Sequence, residues 1–149
     1  GRTAARAKAA PERAAHVEAE VHKAVCRELG SDFDPSLFLP YVQMHELEAL
    51  LFVDPLQLQT VYPERHRQIN ALAESVRGMK PEEINDSVDS APSKRIIHHV
   101  PEYEGNKLPA SSEVLLRIAL PALRAGCPHF AKWLARLEAL APPTAAAPT

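Results

Sequence analysis

The chain has little net charge of either sign. Seventeen basic residues stand against nineteen acidic ones, giving a net charge of −2 over 149 residues. Such a balance gives no long-range attraction to nucleic acid, so a phosphate-binding role needs a local basic cluster. Cysteine is scarce as well. Cys26 and Cys127 are far apart and match no metal spacing, which favours two buried thiols over a disulfide. No apolar run approaches the roughly 20 residues of a membrane span. Residues 1–10 are basic and alanine-rich and lack the apolar centre of a signal peptide. These absences point to a cytoplasmic protein with no membrane contact. There is no internal repeat. The chain also lacks an initiator methionine, which predicts a fragment or a processed chain.

What is present is globular. Hydrophobic residues make up 46% of the sequence, enough for one domain with a real core. The expected division is a single domain over residues 1–141 and a low-complexity, disordered tail over 142–149. Fourteen prolines punctuate the chain and mark short helices. Residues 12–29 place Val17, Val21, Val25 and Leu29 on one side of a helix with a charged opposite face, and Gly30 follows as a stop. Residues 45–53 read as a helix with Leu47, Leu50 and Leu51 on one face. Further helices are expected over 55–61 and 64–77, the latter carrying Ile69, Leu72 and Val76 and closed by Gly78. Residues 93–99 form a turn after Pro92. Residues 112–119 form a helix that Pro121 breaks or restarts. A last helix opens at Cys127-Pro128 with Phe130, Trp133, Leu134, Leu137 and Leu140 on one side.

Residues 37–44 differ from the rest. Leu37, Phe38, Leu39, Tyr41, Val42 and Met44 form a near-continuous apolar run, the pattern of a strand covered on both faces. Pro40 restricts it to a strand start or an edge. The expected fold class is therefore mainly α, with helices around one buried strand, as the C-terminal part of an α/β protein. Its sheet partners would lie in a missing preceding half.

Four groups of residues could carry chemistry. His45, Glu46 and Glu48 follow the apolar run directly. Carboxylates suit magnesium or manganese, and His45 and Glu48, three apart, share a helix face. An acidic pair in a first helical turn is equally explained by the helix dipole. The pattern is not the HExxH of zinc peptidases, because position 49 is Ala. Lys94 and Arg95 begin a helical turn where charge and backbone amides could meet a phosphate; a solvated basic turn is the commoner explanation. The adjacent His98 and His99 do not easily face one metal. Cys127, beside His129, could be a nucleophile, but Phe130 and Trp133 make a capped, packed helix start the better reading. Asn85, Asp86 and Asp89 are either metal ligands or turn formers.

The order of these blocks carries more than any one of them. LPYVQMHELEALLF at 39–52, IND at 84–86, APSKRI at 91–96 and CPHF at 127–130 with Trp133 resemble the prokaryotic family catalogued as domain of unknown function forty-two seventy-six. The resemblance runs from about residue 12 onward. Leu47 stands where an aromatic residue is expected. Residues 103–107 resemble the family's Tyr-x-Lys stretch with the lysine displaced, so Lys107 takes no role. The resemblance implies a Toprim-like protein of anti-phage defence islands, encoded beside ATPase genes. It implies Glu46, Glu48 and His45 as metal-binding and catalytic residues, magnesium or manganese as the ion, and Lys94 and Arg95 as phosphate contacts. It implies nucleic acid as the partner of the parent protein, with an AAA- or ABC-type ATPase beside it. The acidic motif with which family members begin is absent here, so the chain alone is expected to be inactive. The rival reading is a non-catalytic helical interaction module that docks on such an ATPase or forms a homodimer, suited to the near-neutral charge and the 5% aromatic content.

Overall fold

The structure is a computed structural model and describes residues 9–84 and 90–140. Asn85, Asp86 and Asp89, the basic start and the tail 142–149 lie outside the described residues. Five α-helices are present among them: α1 (Ala10–Leu29), α2 (His66–Ser75), α3 (Pro92–His99), α4 (Lys107–Gly126) and α5 (Pro128–Glu138). Six 3-10 segments connect them.

There is no strand among the described residues, which overturns the expected buried strand and with it the α/β architecture. The apolar run at 37–44 is a strap. Leu37 ends a 3-10 turn, and residues 38–43 continue without regular structure. A strand needs a neighbouring ladder for its peptide groups. Here side chains supply the partners instead. The Trp133 indole N–H donates to the Leu39 carbonyl at 3.0 Å, and the Val42 N–H donates to Glu18 Oε1 at 2.7 Å. Pro40 has no N–H to satisfy. The hydrophobicity of the run is explained by Tyr41, whose ring lies 5.4 Å from His129 and 5.0 Å from Trp133.

The segment expected as a helix over 45–53 is a 3-10 helix, Leu47–Val53, followed by Pro55–Thr60 and Pro63–Arg65. The prolines explain the succession. Pro55 and Pro63 each occupy a first-turn position, where the missing N–H costs nothing, and each prevents the preceding turn from continuing as an α-helix. Leu50 and Leu51 are buried as expected, whereas Leu47 is exposed. Ile69, Leu72 and Val76 are buried, and Gly78 leaves the helix at φ +76°.

The core gathers Leu51, Leu58, Ile69, Leu72, Ile96, Val100, Tyr103 and Val114. α4 runs through its centre against Leu47–Val53 and Pro55–Thr60. At its end Gly126 lies so close to Val53 that an added Cβ would meet Cγ2 at 2.9 Å. α4 is longer than the expected 112–119 and bends at Ala119, two residues before Pro121.

α1 behaves differently from the other helices. Its buried residues are Ala10 and Ala14 alone. Three residues of the stripe read as its apolar side point outward, Val17 at 41% exposed, Val21 at 39% and Leu29 at 54%, while Val25 is half-buried. Glu18 and His22 face the body instead, bonded to the strap and to the Pro35 carbonyl.

Candidate functional site

Glu46 ends the strap in an extended conformation, φ −58° and ψ 156°, immediately before the Leu47–Val53 segment. Its side chain crosses to the start of α3. Oε2 accepts from the Ser93 N–H at 2.7 Å, and Oε1 accepts from the Ser93 hydroxyl at 2.9 Å. The local sequence leaves room for this contact. The residue before α3 is Ala91, which has no side-chain acceptor, so the first amides of the helix lack a local cap. A carboxylate from 47 residues away supplies it, favoured by the helix dipole. The HELE and APSKRI blocks therefore meet at one hydrogen-bonded pair.

The basic residues beyond this pair diverge. Lys94 is exposed, and Arg95 turns back so that Nε donates to the Ser90 carbonyl at 2.9 Å. Glu48 is half-buried and faces the Tyr103 hydroxyl. That hydroxyl is 2.6 Å from Ser111 Oγ, and both residues are buried. Burial pushes the Tyr103 hydroxyl well above the usual tyrosine range, and the Glu48 carboxylate adds to the rise. His45 is buried. The two glutamates thus serve different neighbours: Glu46 reaches α3 and Glu48 reaches Tyr103. Among the described residues no three His, Cys, Asp or Glu side chains come together as a metal cage. His98 and His99 meet edge to face at 5.1 Å, and burial followed by the His98 charge holds His99 below its ordinary range.

A second polar cluster lies under the strap. Glu82 is buried, and its carboxylate accepts from the backbone amides of His129 at 3.0 Å and Phe130 at 2.9 Å. The His129 ring bonds Glu18 Oε1 at 2.8 Å. Cys127 sits at the start of α5 and is fully buried. Burial, with the nearby Glu82 charge, pushes its thiol up to about 12, which removes it as a nucleophile at neutral pH. Burial also raises the Tyr41 hydroxyl, with Glu82, Cys127 and Glu18 adding to the shift. Both cysteines are free thiols, Cys26 half-buried.

Sequence reading passed over Glu18 and Glu82, and it read Ser93 only as part of the Ser93-Lys94-Arg95 turn. A signal for Glu82 exists. α3 and α5 both begin with proline behind a residue that makes no side-chain cap, Ala91 and Cys127. A helix start of that kind needs acceptors from elsewhere in the chain, and acidic side chains are the strongest available. The sequence does not say which ones.

A family model described as domain of unknown function (DUF4276) matches residues 4–138. The chain belongs to the DUF4276 family. No curated protein and no solved structure matches it. In this DUF4276 chain, the contact between Glu46 and Ser93 joins two of the blocks on which the resemblance rests. No helix among the described residues is long and apolar enough to cross a membrane.

Proposed function

We propose that the chain contributes the acidic edge of a magnesium- or manganese-dependent, nuclease-type centre that acts on nucleic acid. The observation carrying this reading is the bond between Glu46 and Ser93. It holds an exposed residue's carboxylate at the start of the turn that carries Lys94 and Arg95. Magnesium is commonly held by one or two carboxylates, with waters and substrate phosphates completing its shell. Glu46 fits that requirement, and Glu48 and His45 stand on either side of it in sequence. The described residues do not fit a closed cage, so the remaining ligands come from water, from substrate phosphate or from residues outside those described. A bound ion would neutralise developing charge on the phosphate and activate a water. In this reading the chain's own residues hold and orient: Ser93 fixes Glu46, Tyr103 faces Glu48, and Lys94 offers a cation to the phosphodiester. The resemblance adds the setting, anti-phage defence beside an AAA- or ABC-type ATPase.

The test is manganese titration of the protein together with a nucleic-acid cleavage assay. Glu46→Gln is expected to weaken manganese binding and to abolish cleavage, with Glu48→Gln acting in the same direction. If both variants bind manganese and cut nucleic acid like the wild type, the reading is lost.

A second reading draws on α1. Its outward Val17, Val21 and Leu29 suit an interaction module that docks on the ATPase or on a second copy. A Val17→Glu/Val21→Glu variant that still co-purifies with the ATPase and keeps the wild-type oligomeric state would remove it.

A further inference from the structure

Leu116 and Leu108 are the most exposed large apolar residues among those described, at 79% and 72%. A single exposed leucine is ordinary on a protein surface. These two share one row of α4 with the exposed Ser112, each four residues from the next, so all three line one side of the helix. Val114 and Ile118 turn the opposite side into the core, which holds the row in place. Leu120, just past the bend at Ala119, is exposed as well.

The charges beside the row lie on one edge only. Glu113 and Arg117 stand about 60° and 100° round from Leu116 in the same sense. They are half-exposed and bonded to each other at 2.7 Å. The other edge of this run carries Leu108 and Leu115 and no charge. A face of this kind is complementary to itself. In a two-fold pair with the helices antiparallel, like edges meet, and residue i of one copy faces residue j of the other twice over. Glu113 then meets the second copy's Arg117, and Arg117 its Glu113, in a ring of four alternating charges. Leu116 lies over the second copy's Ser112, whose small side chain leaves room for it. The Ser112 hydroxyl already donates to the Leu108 carbonyl at 2.9 Å, so covering it strands no donor. A parallel pair would set the charged edge against the apolar one instead.

We propose that the Leu108, Ser112 and Leu116 face of α4 is a homodimer interface, with the α4 helices of two copies packed antiparallel. This takes the interaction-module reading to a second copy of the chain, and to α4 rather than α1. The straight run before the bend is about 18 Å long, so the interface is small and the dimer forms in a concentration-dependent way.

The experiment is sedimentation equilibrium of the full chain at concentrations up to about 1 mM, where weak dimers populate. Thermal melts check that each variant is folded. Leu116→Glu is expected to raise the dimer dissociation constant at least about tenfold, and Leu116→Ser to act in the same direction without adding charge. Glu113→Arg and Arg117→Glu each set like charges against each other across the pair, and each is expected to weaken its own dimer. Mixing these two variants is expected to restore association, as a heterodimer of one all-basic and one all-acidic edge. That rescue occurs in trans, so an effect confined to one helix cannot produce it. A wild type that is monomeric throughout overturns the proposal and leaves docking on the ATPase standing. A dimer that survives both Leu116 variants but is lost in Val17→Glu/Val21→Glu overturns α4 and leaves the α1 reading intact. Variants that fail to rescue each other overturn the antiparallel arrangement.

Discussion

Ala119 carries φ 63° and ψ 155°, the single positive φ of a non-glycine among the described residues. A Cβ in this region collides with the backbone, at a cost on the order of 1–3 kcal/mol. The bend relieves a conflict, since the α4 chain must stop its first helical run before Pro121 begins the next. Ala119→Gly is expected to stabilise the protein by roughly 1 kcal/mol, the strain removed outweighing the added freedom of the unfolded chain. Urea unfolding checks it, and an unchanged or lower midpoint counts against strain at this position. Cys127 makes a prediction about pH. Its thiol is neutral in the fold, pushed up to about 12, while in the unfolded chain it ionises near 8.5. A pKa raised by folding gives stability that is complete below about pH 8.5 and declines as pH climbs towards 12. The loss of stability between pH 7 and pH 9.5 is thus expected to shrink by about 1 kcal/mol in Cys127→Ala, measured by urea unfolding at both values. An equal loss in both proteins would show that the thiol is not held neutral by the fold.

At the scale of elements, apolar periodicity was a good guide where an element is surrounded and a poor one where it is not. In α2 the spacing of Ile69 and Leu72 identifies the core side correctly, because the helix lies between Pro55–Thr60 and α3. In α1 the positions of Val17, Val21 and Leu29 mark the outward side, and the inward side carries only small Ala10 and Ala14 with the polar Glu18 and His22. Substitutions separate the two cases. Leu72→Ala removes a fully buried side chain and is expected to cost about 2–5 kcal/mol. Val17→Glu and Val21→Glu are each expected to change stability by about 0.5 kcal/mol or less. Thermal melts of the three variants check the contrast, and a large loss from either valine would place the stripe inside. The strap tells a related story. Residues 37–44 are as apolar as a buried strand, but Glu18 and Trp133 bond its backbone before any neighbouring strand could. No local pattern in the strap reveals partners at positions 18 and 133.

Across the whole molecule, stability is unevenly distributed. α4 passes through the core, while α1 is attached through Ala10, Ala14 and a few polar bonds. Segments with few buried apolar contacts open at low free energy. Amide hydrogen exchange should therefore be fast in the second half of α1, residues 19–29, and slow in α4 around Val114. Equal protection in both would mean that α1 is a full member of the core. The same unevenness separates what the sequence determined from what folding decided. The prolines, the turn glycine Gly78 and the spacing of Ile69, Leu72 and Val76 specify short helices and where several of them begin and end, because φ restriction, a missing N–H and apolar period act within a few residues. The order of the HELE, APSKRI and CPHF blocks was enough to assign the family. Only the tertiary structure decided that the apolar run is a strap, that the α1 stripe faces outward, and that Glu46 and Glu82 close the starts of α3 and α5. Each of these depends on which group arrives first at an unsatisfied amide or an uncovered surface, and those groups lie 24 to 94 residues apart along the chain.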